Sequence, residues 1–153
     1  MESISIETAT EEEREWCAQV MAATDPWITL GRDLDRCRTF CQNREYFLYV
    51  AHSDGQPCGF MLMHPRGLAS SPYITVLAVA RESRGRGIGS RLLQFAENFF
   101  RNNSRHIFLC VSSFNARARA LYERHEYKAV GELKDYVKQG SSEIIMHKLL
   151  RPA

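Results

Sequence analysis

The sequence has no long apolar run. One of its longest, YITVLAVA at positions 73–80, has eight residues, whereas a helix needs about 20 to cross a bilayer. The first ten residues, MESISIETAT, are polar and lack the basic and then apolar segments of a secretory signal. We therefore expect a cytoplasmic protein that does not bind membranes.

A strong charge of either sign is also missing. The chain has 20 lysines and arginines against 18 aspartates and glutamates, a net charge of +2 with neutral histidines. Proteins that attract nucleic acid through their overall field carry a larger imbalance. We expect no nucleic-acid partner, although four arginines within positions 81–91 leave a local basic patch as the alternative.

Metal and disulfide motifs are scarce as well. The chain has no CxxC pair, and no histidine lies near Cys37 and Cys41, which would share one face of a helix. We interpret the cysteines as buried reduced thiols and expect no metal site. The five cysteines are Cys17, Cys37, Cys41, Cys58 and Cys110.

What the sequence does have is the composition of one folded domain. Its 153 residues are 44% hydrophobic and 25% charged, a size that buries a sizeable core. No repeat or linker divides it, so we expect residues 1–153 to form a single domain. Strand and helix patterns alternate in the middle, and hairpin patterns occur at both ends. This order predicts an α/β (α+β) fold, in which helices cover both faces of a mixed sheet.

Local signals place several boundaries. Thr10 followed three residues later by Glu13 has the spacing of a helix N-cap with a capping box. The dipeptide at 54–55, Asp-Gly, predicts a turn between two strands. YITVLAVA predicts a central strand that is buried on both faces. The segment before it, PRGLASSP at 65–72, is typical of a loop.

The most informative stretch is RESRGRGIGSRLL, positions 81–93, which follows the central strand and runs into a helix. Its glycines have GxGxG spacing, not the GxGxxG of a dinucleotide fingerprint, and no Lys-Ser or Lys-Thr pair follows as in nucleotide-triphosphate loops. A glycine-rich turn before a helix still offers N–H groups and partial positive charge to a pyrophosphate. A tight turn with solvated arginines is the alternative.

Two blocks resemble the GNAT superfamily of N-acetyltransferases, in particular its single-domain bacterial and archaeal members. RGRGIG at 84–89, after the strand, is similar to the family's motif A, and VSSFNARARALYERHEYKAVG at 111–131 to its motif B. Their order also matches, and the similarity covers about residues 73–131. The resemblance implies a GNAT fold, with a mixed, mostly antiparallel sheet of six to seven strands that is splayed at its central strands.

The resemblance also implies acetyl-CoA as donor and coenzyme A as product. By position, the pantetheine arm would pair with the backbone of Leu77, Ala78 and Val79, and Asn115 would contact it or cap a helix. Backbone N–H groups of the glycine turn would bind the pyrophosphate. The residues of that turn are Arg84, Gly85, Arg86, Gly87, Ile88, Gly89 and Ser90.

Tyr122 is the candidate general acid. It lies seven residues after Asn115 and thus on the same helix face, and the resemblance implies that its hydroxyl lies near the thioester sulfur. A tyrosine with a pKa of about 10 is protonated at neutral pH and can donate to the leaving sulfur. The N–H of Val79 or Ala78 would bind the developing oxyanion. A core aromatic residue with a satisfied hydroxyl is the alternative for Tyr122.

No good general base stands at the expected positions. Relatives similar to the ribosomal-protein alanine acetyltransferases usually have a glutamate where this chain has Cys110, and other branches have the base at positions that fall on Tyr73 and Thr75. Cys110 is the candidate nucleophile of an alternative covalent route, or simply a buried thiol. Water-mediated proton transfer to His64 or Glu45 is a further alternative.

The activity we expect is acetyl transfer to a primary amine by direct attack in a ternary complex. The acceptor is not identified. It would lie between the connection of the first two helices, which also carries Asp33, and the segment 64–73. A non-catalytic acyl-CoA sensor or interaction module is the alternative, and a monomer or a homodimer is compatible with the sequence. Candidate acceptor contacts are Trp27, Asp25, Tyr73 and Thr75.

Overall fold

Seven strands and four helices follow one another along residues 2–152, which a computed structural model describes. The strands are β1 (Ile4–Thr8), β2 (Phe47–Ser53), β3 (Gln56–Leu68), β4 (Ser71–Val79), β5 (His106–Ser112), β6 (Lys128–Lys134) and β7 (Ser142–Leu149). The helices are α1 (Glu11–Ala22), α2 (Leu34–Gln42), α3 (Ile88–Phe100) and α4 (Ala116–Arg124). Within these residues, no helix is long and apolar enough to cross a membrane.

All seven strands belong to one sheet, in the order β1-β2-β3-β4-β5-β7-β6. Every neighbouring pair is antiparallel except β4 and β5, which are parallel. The prediction of a mixed, mostly antiparallel sheet of six to seven strands is confirmed. The single parallel pair lies in the middle of the sheet, and α3 is part of the connection between its strands.

Helices pack on both faces of this sheet, as predicted. Under α1 and α2 lies one apolar cluster, which includes Cys17, Cys37 and Cys41. Under α3 lies a second cluster, to which the helix contributes residues at its one-turn repeat, among them Ile88 and Leu92. Four of the five cysteines are buried free thiols. The interpretation of those four as packing residues is therefore confirmed.

Helices α1 and α2 each begin with a side-chain cap, and the cap of α1 was predicted from the sequence. The Thr10 hydroxyl accepts a hydrogen bond from the Glu13 N–H (3.2 Å), and the Glu13 carboxylate accepts one from the Thr10 N–H (3.0 Å). This capping box satisfies N–H groups that the first turn of α1 would leave free. Asp33 caps α2 by accepting from the Arg36 N–H (2.9 Å).

The connection between β3 and β4 differs from the loop expected at 65–72. The two strands continue as a hairpin to Leu68 and Ser71, and only Ala69 and Ser70 form the turn. Both turn residues have positive φ, 50° and 59°, as in the tight hairpin turns usually made by Asn-Gly or Asp-Gly. Because Ala-Ser lacks that signature, the sequence pattern predicted a longer loop.

A β-bulge at Thr75 changes the course of β4. Leu62 pairs with Val76 and the next residue of β3, Met63, pairs with Ile74, so Thr75 has no partner on β3. A bulge bends its strand and increases the local twist. Beyond this point β4 diverges from β5, since the parallel pairing includes only residues 73–74 of β4. The sheet is therefore splayed at its central strands, as the resemblance implies.

The central strand is not buried on both faces, which corrects the expectation for YITVLAVA. Along β4, half-buried and buried residues alternate strictly. Residues such as Val76 and Ala78 pack under α1 and α2, whereas Leu77 and Val79 are only partly buried. Residues 75–79 of β4 line a cleft along the edge that β5 leaves open.

Candidate active site

The gap between β4 and β5 is the floor of a cleft of about 510 Å³. Its walls come from the start of α3, from α4 and from the connection between α1 and α2. One end is formed by the glycine turn at 83–90, and we call it the donor end. The remaining part of the cleft, which is lined by Tyr73, Cys110, Glu143 and the α1–α2 connection, is called the acceptor end.

The edge of β4 gives the cleft an unpaired stretch of backbone. The Ala80 N–H donates to the Cys58 carbonyl on β3 (2.9 Å), and successive N–H groups of a strand point to opposite edges. The N–H groups of Leu77 and Val79 therefore point toward the open edge, and that of Ala78 points toward β3. Of the two candidates for binding an oxyanion, Val79 has the suitable direction.

The glycine turn presents free backbone donors. Gly85 and Gly87 have φ of +76° and +78°, and a Cβ at either position would meet no atom within 4 Å. A side chain there would strain the backbone and occupy open space. Gly87 is the N-cap of α3 and has no side chain to cap it. Among the described residues, no acceptor receives the N–H groups of residues 85–87.

Arginines give the cleft a positive charge. Arg84, Arg117 and Arg124 line the cleft, and Arg84 Nε also donates to the Val79 carbonyl (3.4 Å). The Arg86 side chain points elsewhere, since it pairs with Glu2 near the N-terminus. Together with the start of α3, the three lining arginines favour a ligand that carries several negative charges.

Two predicted donor-end residues are engaged by neighbours. The Ser90 hydroxyl lies 2.8 Å from Nε2 of His125, and burial lowers the pKa of this histidine. A Cβ at Gly89 would lie 3.0 Å from the Leu121 side chain. Glycine at this position therefore allows α3 and α4 to approach closely, which brings the two motifs together across the cleft.

Helix α4 places Asn115 and Tyr122 on the cleft. Asn115 is the N-cap and accepts from the Ala118 N–H (3.3 Å), as its simpler reading predicts. Tyr122 is only 7% exposed and packs edge-on against Tyr127, with ring centroids 6.2 Å apart. Within residues 2–152, we find no acceptor for the Tyr122 hydroxyl. Burial raises the pKa of Tyr122 to about 12, so the hydroxyl stays protonated at neutral pH.

At the acceptor end, Tyr73 and Cys110 lie next to each other. Burial, then the neighbouring Cys110 and Glu143, raise the pKa of Tyr73. Burial also raises the pKa of the Cys110 thiol, although the Tyr73 hydroxyl partly offsets the effect. Both groups are therefore neutral near pH 7, and neither is a base or an activated nucleophile in this structure.

The sequence analysis missed Glu143, which lines the same end of the cleft. It lies on β7 directly opposite Ser112 of β5, and the Ser112 hydroxyl donates to Glu143 Oε2 (2.7 Å). The two residues are 31 positions apart. The only signal in the sequence is the alternation of β7, and it does not fix the pairing register.

The connection between α1 and α2 closes the acceptor end. Trp27 and Asp25 line the cleft, as predicted, and so does Leu30. Asp25 Oδ1 accepts from the Thr29 N–H (3.0 Å) and hydroxyl (2.6 Å). These bonds, with a smaller contribution from Arg84, hold the pKa of Asp25 below its ordinary value. Part of its hydrogen-bonding capacity is thus already used within the loop.

Other candidates for proton transfer or acceptor binding lie outside the cleft. His64 accepts from the Arg66 N–H (3.0 Å) at Nδ1 and packs edge-on against Tyr46. Glu45 is exposed, and Asp33 caps α2. None of these three is among the residues that line the cleft, and of the segment 64–73 only Tyr73 reaches it.

Thr75 reaches the cleft with an unsatisfied hydroxyl. It lines the gap at the bulge, and its Oγ1 atom is buried without a hydrogen-bond partner among the described residues. A buried polar atom without a partner is costly. Its position suits a hydrogen bond to a molecule bound in the cleft.

The comparisons with known proteins agree with this geometry. An uncharacterized N-acetyltransferase of Methanocaldococcus jannaschii is 37% identical over 102 residues, which span 65% of this chain and 64% of the relative. The chain thus aligns with less than two thirds of this relative's length. A protein of Desulfovibrio desulfuricans assigned to the GNAT family superposes with a TM-score of 0.82 at 19% identity, over 97% of this chain and 100% of that one.

An aminoglycoside 6'-N-acetyltransferase complexed with coenzyme A has a TM-score of 0.76 at 17% identity, over 97% of this chain and 98% of that chain. Likeness at these identities shows the fold alone. The model of the acetyltransferase (GNAT) family matches residues 8–127. The chain therefore belongs to the GNAT acetyltransferase family.

Proposed function

We propose that this protein transfers the acetyl group of acetyl-CoA to a primary amine, by direct attack in a ternary complex. The observation that carries the proposal is the continuity of the cleft. It joins free backbone donors at the glycine turn, an unpaired β4 edge and the buried Tyr122 hydroxyl. The names of the M. jannaschii relative and of the coenzyme A complex support the same activity.

The residues of the donor end fit acetyl-CoA. Free N–H groups at 85–87, the start of α3 and three arginines suit a pyrophosphate and a further phosphate. The open β4 edge offers alternating N–H and carbonyl groups to an amide-containing arm. The Thr75 hydroxyl has no partner within the described chain. Bound acetyl-CoA supplies an acetyl group that is already activated as a thioester.

Tyr122 holds the proton for the leaving sulfur. Its pKa of about 12 keeps it protonated at neutral pH, whereas a free thiol has a pKa of about 8.5. The tyrosine is thus a weaker acid than the thiol it would form. Tyr122 therefore donates its proton to the sulfur only as it receives the proton that the acylated nitrogen loses. Meanwhile the Val79 N–H stabilises the negative charge on the carbonyl oxygen.

Direct attack is favoured over a covalent route through Cys110. A nucleophilic cysteine needs a thiolate, and burial raises the pKa of this thiol. In residues 2–152, no histidine or lysine lines the cleft to activate it. At the acceptor end, Trp27, Asp25 and Tyr73 lie where the amine would enter.

The first test is donor binding. We expect acetyl-CoA and coenzyme A each to raise the melting temperature. Binding to the native state alone adds about 2.7 kcal/mol to the unfolding free energy at a ligand concentration of 100 times Kd. If neither ligand changes it, the proposal is wrong. Thiol release is then screened against polyamines, amino acids, aminoglycosides and peptides with free N-termini. Donor binding without any turnover would instead favour an acyl-CoA sensor.

A further inference from the structure

The acceptor end has a carboxylate, Glu143, on a strand that belongs to neither motif A nor motif B. Glu143 is half-buried on β7, directly opposite Ser112 and diagonal to Cys110, which pairs with Ile145. Directly opposed residues of an antiparallel pair share a face of the sheet, and diagonal neighbours lie within reach. The pairing of β5 with β7 therefore turns Glu143 toward Cys110 and the cleft.

Hydrogen bonds fix the place of this carboxylate. Ser112 is only 3% exposed, and its hydroxyl donates to Glu143 Oε2 at 2.7 Å. The Ser113 N–H donates to the Ser142 carbonyl (2.8 Å), and the Ser142 N–H donates to the Ser113 hydroxyl (2.9 Å). These hydrogen bonds hold the start of β7 against the end of β5, so Glu143 projects from a rigid part of the sheet.

The second carboxylate oxygen remains available. Among the described residues, Glu143 Oε1 has no hydrogen-bond donor. Asp25, the other acid that lines the cleft, also keeps one oxygen free, because both bonds from Thr29 go to its Oδ1. The neighbours of Glu143, Tyr73 and Cys110, cannot accept a proton at neutral pH, because their raised pKa values keep both groups protonated. Glu143 is therefore an oriented carboxylate with a free oxygen, and unlike Asp25 it lies beside Tyr73 and Cys110 at the gap between the strands.

The amine acceptor requires such a group. An alkyl amine with a pKa of about 10.4 is only about 0.1% neutral near pH 7.4. The protonated form has no lone pair for attack, and it is attracted to a carboxylate. A group that binds the ammonium and removes one proton thus supplies the reactive form inside the site.

We infer that Glu143, positioned by Ser112, binds the acceptor as an ammonium ion and takes its proton. This inference rests on the proposed function. The ammonium transfers one proton to Glu143 Oε1, and the freed lone pair forms the C–N bond to the acetyl carbon. The C–S bond breaks, the sulfur takes the Tyr122 proton, and the nitrogen returns its surplus proton to Tyr122. Glu143 then releases its proton to solvent.

The experiment compares two acceptors of equal size, methylamine and hydroxylamine, in thiol-release assays at pH 7.5. The protein-free rate is subtracted from each, because hydroxylamine also cleaves thioesters spontaneously. Methylamine is almost wholly cationic at that pH, and hydroxylamine is almost wholly neutral. We expect Glu143→Gln to lower kcat for methylamine by about 100-fold, the range of general acid–base catalysis. Turnover of hydroxylamine, which needs no proton removed before attack, should fall by less than about threefold on the same reasoning.

Two further variants separate a chemical role from a structural one. Glu132→Gln removes an exposed carboxylate from the adjacent strand β6 and should leave both rates unchanged. Ser112→Ala frees the carboxylate from its donor, and we expect a partial loss of kcat for methylamine alone. Glu143→Asp keeps the charge and should restore part of the methylamine rate.

Several results would overturn the inference. Equal losses with both amines would assign Glu143 a structural role. A rise in KM for methylamine at constant kcat would reduce it to a cation-binding site. Unchanged kinetics would remove it from the reaction. Failure of the proposed function looks different, because the unaltered protein would then neither bind acetyl-CoA nor release thiol with either amine faster than a protein-free control.

Discussion

The two ends of the cleft are built differently. The donor end consists mainly of backbone groups, namely the glycine turn at 85–87 and the unpaired edge of β4. The acceptor end consists of side chains from distant parts of the chain, such as Trp27, Tyr73 and Glu143. A backbone site depends on local conformation and tolerates exchange of neighbouring side chains. A side-chain site changes with each substitution, so one donor can be kept while acceptors differ.

The largest effect should come from Gly87→Glu. The added carboxylate would stand where free N–H groups meet phosphate, and loss of one or two charge-assisted hydrogen bonds costs about 3 kcal/mol, or about 100-fold in affinity. We expect acetyl-CoA to lose its effect on the melting temperature. Comparable binding by this variant would place the donor elsewhere.

The matched control is Gly55→Glu in the β2–β3 turn. Gly55 also has positive φ, +82°, and also has no atom within 4 Å of an added Cβ. Both substitutions therefore carry a similar backbone strain of about 1–3 kcal/mol. Only Gly87→Glu should weaken donor binding.

The next largest effect concerns the two tyrosines that pack edge-on, Tyr122 and Tyr127. Tyr122→Phe should lower kcat by about 100-fold, because it removes the proton donor, with little change in KM for acetyl-CoA. Tyr127→Phe is the comparison, since the Tyr127 hydroxyl donates to Glu97 (3.2 Å) away from the cleft. That variant should lose about 1 kcal/mol of unfolding free energy and keep its kcat. Steady-state kinetics and urea unfolding of both variants distinguish the roles.

Thr75→Val tests the unsatisfied hydroxyl where the two ends meet. Removing a buried polar atom without a partner should raise the unfolding free energy of the ligand-free protein by about 1 kcal/mol. Thr24→Val should act in the opposite direction, because the Thr24 hydroxyl donates to the Val20 carbonyl (2.6 Å). A destabilised Thr75→Val would show that water or a protein group satisfies this atom.

The smallest effect is expected for Cys110→Ala. If the amine attacks directly, kcat should change by less than about threefold, whereas removal of a nucleophile abolishes almost all turnover. Intact-protein mass spectrometry after incubation with acetyl-CoA should detect no acetylated enzyme. A stable acetyl adduct that vanishes in the variant would establish the covalent route.

The difference between the ends also explains what the sequence predicts. Capping by Thr10 and Asn115 and the glycine turn depend on residues within a few positions, and all were predicted correctly. The splayed sheet followed from the resemblance, but its cause, the bulge at Thr75, depends on pairing with β3. No local pattern in YITVLAVA specifies that bulge.

Glu143 shows the limit most clearly. Its side chain reaches the cleft because β7 pairs with β5 in one register, and a shift of one residue would turn it to the other face. The Arg86 side chain, in turn, leaves the donor end because Glu2 is near in space. Both outcomes depend on contacts between residues far apart in the chain, which spacing alone does not determine.

The most direct test of the account is backbone amide hydrogen exchange with and without coenzyme A. The N–H groups of Leu77 and Val79 and those of residues 85–87 have no partner in the described chain and should become protected on binding. The Ala80 N–H, which already donates to Cys58, should be protected both with and without coenzyme A. Saturable binding that leaves the first group unprotected would contradict the account.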